Sequence, residues 1–173
     1  LGVTSAAVAL GAGLLVSPAG AAPPRGTLPV AATTFVSYGG GRIASDVVTT
    51  TGRAMTIEQT SQRATFNWNS FDVATGSSVE FKQPSVSSVA LNRIFDSKPS
   101  EIYGLVKANG QIYLVNNNGI LFGNGAQVNV GGIIASSLNL SDATFQAGLD
   151  SLTSARMPAF TDDGSAAIAG SEI

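Results

Sequence analysis

Between residues 112 and 140 the chain reads IYLVNNNGILFGNGAQVNVGGIIASSLNL, short aliphatic runs parted by turns made almost wholly of Asn and Gly. The runs at 112–115, 120–122, 128–130 and 133–135 are too short for helices, and the Asn and Gly between them readily take left-handed backbone conformations. Upstream, the apolar pattern predicts strands at 64–68, 71–73, 79–81, 89–94 and 102–106. Looser candidates at 33–37, 43–44 and 55–57, broken by Gly39-Gly40-Gly41 and Gly52, read as a cap. Many very short strands joined by tight corners predict a coil of β-structure, with an antiparallel sandwich as the main alternative.

A weak repeat supports the coil. Phe71 to Leu91 is 20 residues, and Leu91 to Ile112 and Ile112 to Ile133 are 21 each, the size of one solenoid turn. On that register the aliphatic side chains of successive coils would stack into one inward column. Trp68, Phe71, Phe81 and Leu91 are expected in the core, as aromatic and aliphatic residues at strand spacing usually are. Beyond Leu140, Ser141-Asp142 is a capping pair for one or two helical turns over 143–149, weakened by Gly148. Residues 152–163 read as loop, and 166–173 return to short apolar steps.

The amino-terminal pattern is of another kind. A small apolar run at 8–16 is followed by Ser17, Pro18 and Ala19-Gly20-Ala21, the small-x-small pattern of a signal-peptide cleavage site just before Ala22. The run is shorter than the roughly 20 residues a membrane anchor needs, so a signal peptide is the preferred reading. The expected organisation is a partial signal peptide at 1–21, a linker at 22–27, the main domain at 28–150, and the start of further β-helix coils at 151–173. An open last coil leaves strand edges exposed, so the native polypeptide is expected to continue.

Composition narrows the chemistry. The chain has 173 residues, a net charge of −2 and only 12% charged residues, against about 25% in ordinary soluble domains. No basic stripe is present to attract nucleic acid. Cysteine and histidine are both absent, which excludes thiol nucleophiles, Cys/His zinc sites and Ser-His-Asp triads together. No metal or cofactor is expected. Asp72, Glu80, Asp96 and Glu101 are the carboxylates available to a β-helical carbohydrate-active enzyme, but they form no recognisable acidic cluster in the sequence. A sugar-binding adhesin module is the other alternative. Gly123-Asn124-Gly125 and Gly131-Gly132 miss the third glycine of a dinucleotide loop, and close coil packing explains them better. Gln83-Pro84-Ser85 reads as a turn and Leu91-Asn92-Arg93 as a strand end, and Arg93 could pair with Asp96 or Glu101 or face a partner.

The runs NWNSFDVATGSSVEFKQPSVSSVALNRI (67–94) and SEIYGLVKANGQIYLVNNNGILFGNGAQVNVGGIIASSL (100–138), with LPV near the expected mature start and IEQTSQRATFNW before the Trp, resemble a known family. It is the amino-terminal two-partner secretion domain of filamentous haemagglutinin-like exoproteins of Gram-negative bacteria. The resemblance implies a right-handed parallel β-helix, all-β and pectin-lyase-like, with an amino-terminal antiparallel cap. It implies no catalysis, and a chain that is secreted or displayed on the cell surface by way of the periplasm. The implied partner is a TpsB-type outer-membrane transporter with POTRA domains, which reads a monomeric passenger. Asn116, Asn117, Asn118, Gly119 and Ile120 stand where the family carries Asn-Pro-Asn-Gly-Ile, with Asn117 in place of Pro, while the companion Asn-Pro-Asn-Leu motif does not occur. The five residues are the candidate secretion motif. They are equally a corner, since Asn and Gly bond neighbouring backbone and permit tight turns.

Overall fold

The computed structural model describes residues 21–147 and one short strand at Phe160–Thr161. The amino-terminal elements are β1 (Val30–Tyr38), β2 (Gly41–Val48), β3 (Arg53–Gln59) and β4 (Arg63–Ser70). Shorter strands follow: β5 (Ser78–Lys82), β6 (Val89–Ile94), β7 (Ser100–Ile102), β8 (Leu105–Ala108), β9 (Gln111–Asn116), β10 (Ile120–Phe122), β11 (Gln127–Asn129) and β12 (Gly132–Ser136). The chain then leaves the coil through β13 (Asn139–Leu140), helix α1 (Asp142–Ala147) and β14 (Phe160–Thr161).

One sheet runs β1-β4-β6-β9-β12, a second runs β11-β8-β5-β3-β2, and β10 pairs with β7 on a third, shorter side. From β3 to β12 every strand pair within these sheets is parallel, so the chain winds as a parallel β-helix of about four turns. Parallel pairing overturns the antiparallel sandwich. The cap is antiparallel, β1 lying against β4 and β2 against β3. Phe35 from β1 closes the end of the column, its ring centroid 5.1 Å from Phe66 and 4.9 Å from Trp68. Trp68 meets Phe71 edge-on at 5.3 Å, so aromatic contacts worth about 0.5–1.5 kcal/mol each add to the burial of four large rings.

Three of the expected element assignments needed correction. Residues 102–106 are not one strand: the chain turns at Tyr103-Gly104, and β7 and β8 belong to different sides of the coil. Phe71–Val73 is no strand either, since Val73 makes a single parallel bridge to Ile102. Within 152–163, Phe160 and Thr161 form a strand antiparallel to β13. The signal-peptide run, Gly148 and residues 166–173 lie outside the described residues. The helical turn appears as expected, with the Ser141 hydroxyl accepting a hydrogen bond from the Thr144 amide at 3.1 Å.

The repeat is correct only at its last step. Ile133 pairs with Ile112, but Ala90 takes the place expected for Leu91, which stands opposite Tyr113. A slip of one residue moves a side chain to the other face of a strand. Leu91 is accordingly buried, but on the outside of the coil. Inside lie Phe66, Trp68, Ala90, Ile94, Ile112 and Leu114, packed against Ile57, Val79, Phe81 and Val106 of the second sheet. Outside, Leu91, Tyr113 and Val115 form a second apolar cluster with Leu140 and Phe145.

Candidate functional site

The Asn-rich corner lies between β9 and β10. Asn116 ends β9 with its side chain fully buried, and its carboxamide oxygen accepts the Asn118 amide at 2.9 Å, an Asx turn. The backbone closes over it, the Gly119 amide donating to the Asn116 carbonyl at 2.8 Å. Among the described residues no non-glycine residue has a positive φ, whereas Gly119 has φ +94°. The turn from 116 to 119 therefore has negative φ at both central positions, with glycine supplying the left-handed step that follows.

The corner is stitched to the loop of the preceding coil. The Asn116 amide group donates to the Lys98 carbonyl and to Ser100 Oγ, both at 3.0 Å, and the Asn118 amide group donates to the Asp96 carbonyl at 2.7 Å. The Ser100 amide returns a bond to the Gly119 carbonyl at 3.0 Å, where Ile120 enters parallel pairing with Ser100. The structure thus gathers the motif at one place, and the polar groups of Asn116 and Asn118 are engaged by the fold. Asn117 is half-buried and faces a depression lined also by Arg93, Phe95, Val115, Asn139 and Asp142.

Two further polar arrangements escaped the sequence reading. At another corner Gln83 is buried, and its Nε2 donates to Gln59 Oε1 at 3.0 Å while its Oε1 accepts the Gly110 amide at 2.9 Å. Asn109 bonds both backbone groups of Gln83 at 2.8 Å, so this turn is also a ladder across three coils. The residue spacing carries a trace of it, for Gln59 ends β3, Gln83 directly follows β5 and Gln111 opens β9.

The carboxylates are the second case. Asp72, Asp96 and Glu101 line one depression with Lys98, Pro23 and Pro24, a grouping hidden until Val73 and Ile102 are known to be neighbours. Burial pushes the Asp72 carboxyl above its ordinary range and nearby Asp96 adds to this, against the Glu101 amide bond of 2.7 Å and the charge of Lys98. Glu80 lies elsewhere, paired with Lys107 at 2.9 Å. Among the described residues no group of carboxylates is arranged to hold a metal ion. Arg93 pairs with neither Asp96 nor Glu101. It turns outward to Asp142 at 2.7 Å, a partner 49 positions away in sequence that β6 and α1 bring together.

Comparison with known proteins bears on the whole coil. Heme/hemopexin-binding proteins of Haemophilus influenzae are 43% identical over 93 residues and 42% identical over 91, covering 54% and 53% of this chain. The matches span only 10% of the length of those relatives. The crystal structure of the HMW1 secretion domain from Haemophilus influenzae superposes with a TM-score of 0.53 at 29% identity, over 63% of this chain and 30% of that one. The TPS secretion domain family matches residues 35–167, three sides of the coil, the Asn-rich corner and the segment beyond it included, and the chain belongs to that family.

Proposed function

We propose that this chain is the secretion-recognition and fold-nucleating domain of a larger exported surface protein, delivered through a two-partner outer-membrane transporter. The observation that carries the reading is the family match over residues 35–167. The amino-terminal segment, extended during transit, would engage the transporter's POTRA domains by adding a strand to an exposed sheet edge. Parallel coils pair residues some 20 positions apart, and such non-local pairing forms slowly enough for the chain to cross unfolded. Coiling outside then opposes back-sliding. The last coil supports the nucleating role: Phe122 and Ile133 are each 40% exposed there, a layer of apolar side chains on which another coil can stack.

In this reading Asn116, Asn117, Asn118, Gly119 and Ile120 serve export through the shape they impose, as the bonds to the preceding coil suggest. The role is non-catalytic, the passenger is monomeric, and neither nucleic acid nor metal is required. Co-expression with the partner transporter and assay of the medium tests the reading, and release that does not need the transporter sinks it. Asn118→Ala and Gly119→Val should lower folding and secretion together. Loss of secretion in a variant of wild-type stability would instead assign direct recognition to the corner.

A further inference from the structure

We infer that residues 139–147 form a clasp that opens and closes on the outside of the β-helix as a unit separate from the coil. The first sheet has two apolar faces. Its inner face belongs to the column, and its outer face carries Tyr38, Leu91, Tyr113 and Ile134, one from each successive strand apart from β4, where Thr65 stands. Leu140 and Phe145 cover that outer stripe, Phe145 meeting the Tyr113 ring at 6.2 Å.

Two arginines hold the clasp at opposite ends. Arg93 donates to the Leu140 carbonyl at 2.6 Å and pairs with Asp142 at 2.7 Å, and Arg63 donates to the Gln146 carbonyl at 3.1 Å. These contacts join residues 47 and 83 positions apart, and they can form only on strands already laid side by side. The clasp contributes nothing to the inner column, whose cluster contains none of its residues. With a helix of six residues it has no stability of its own, since isolated helices shorter than about 12 residues are marginal in water.

The closed state is also imperfectly satisfied. Arg93 Nε is buried without a hydrogen-bond partner, as is Thr65 Oγ1 on the same outer face. Lifting the clasp returns water to both groups and offsets part of the cost of exposing Leu91 and Tyr113. Beside the pairing of β13 with β14, the segment is held on the first sheet chiefly by two apolar side chains and two guanidinium groups, and it is therefore a local opening unit, drawn from the low-stability end of the molecule.

Hydrogen exchange on the whole chain, read by mass spectrometry, tests this. In the wild-type protein, amides of α1 should exchange at least about tenfold faster than those of β4, β6 and β9, through openings that low urea does not promote. Arg93→Ala and Phe145→Ala should speed exchange in α1 by a further tenfold or so while the strands keep their wild-type rates. Trp68 is the sole Trp and lies inside the column, so its emission should not change. The inference is overturned if α1 keeps its wild-type rates in both variants, or if β6 and β9 accelerate in step with α1 and Trp68 emission shifts, since the clasp would then be part of one cooperative unit.

Discussion

Trp68 Nε1 donates to Asn92 Oδ1 across 2.9 Å, a bond between the indole of one coil and the carboxamide of the next, both fully buried. The Asn92 amide group continues the line to the Tyr113 carbonyl of the third coil at 3.3 Å. A polar residue placed among Phe66, Ile94 and Leu114 thus satisfies the one polar atom of the largest side chain in the column. Asn92→Leu keeps the branched shape of the side chain, with a somewhat larger volume, and strands the indole N–H, at an expected cost of about 1–3 kcal/mol in urea unfolding. Adding Trp68→Phe removes the stranded donor, so the second substitution should cost less in the Asn92→Leu background than in the wild type. Circular dichroism follows both, because the double variant lacks the tryptophan. Additive costs would show that the bond does not couple the coils.

The turn at the secretion motif makes a separate prediction. Asn117 is the first central residue of the turn from Asn116 to Gly119, with φ negative and an extended Asn116 before it. Those are the conditions proline requires, in its own φ and in the residue preceding it. Where the side chain of Asn117 carries that residue's interactions and its backbone N–H does not, Asn117→Pro raises stability by about 0.4–1 kcal/mol, through the reduced freedom of the unfolded chain. A fall in Tm would show that the Asn117 amide is needed, and that this chain's corner differs from that of relatives carrying Pro.

Much of the architecture was legible because parallel coils repeat short aliphatic runs between Asn and Gly corners, and residues 112–136 do so plainly. Phase was harder to read. Leu91 and Ala90 are both apolar and both buried, one on each face of β6, so no inside-outside contrast marks the register. The two-faced burial arises from Leu140 and Phe145, distant in sequence, and the same cause hid the partner of Arg93. The Asn-rich corner was placed by its composition, whereas the Gln83 ladder has the composition of an ordinary turn, and only the stacking of coils shows what its side chain does.

Asp72 couples the third side of the coil to pH. Burial holds its carboxyl above the ordinary value, so the native state binds a proton more readily than the unfolded chain does. A raised carboxyl favours the fold below its unfolded pKa and loses that contribution as pH rises through the folded one. At neutral pH the charged group is therefore a burden. Asp72→Asn keeps an oxygen to accept the Glu101 amide and removes the charge, so its Tm should exceed that of the wild type at pH 7. The advantage should shrink toward pH 4, where the wild-type carboxyl is increasingly protonated. An equal Tm difference at both pH values would mean that Asp72 ionisation is unlinked to folding.

Gly104 and Gly119 separate two reasons for a glycine that the sequence writes identically. At Gly119 φ is +94° and an added Cβ would meet nothing within 4 Å, so the requirement is one of backbone conformation. Gly119→Ala should cost about 1–2 kcal/mol, and Gly119→Asn less, because asparagine tolerates the left-handed region better than alanine does. At Gly104, where the chain turns between β7 and β8, φ lies outside that region, but a Cβ would come within 2.5 Å of the Ala74 carbonyl oxygen and 2.7 Å of Val73. The first of these is backbone and cannot step aside. Gly104→Ala should cost about 3 kcal/mol or more, and Gly104→Asn should be worse still, since every added atom enlarges the clash. Thermal melts of the four variants decide it: the Ala and Asn costs should rank in opposite order at the two positions. The same order at both would mean that the corner between β7 and β8 opens to admit a side chain, and that coil packing there is looser than the backbone contacts require.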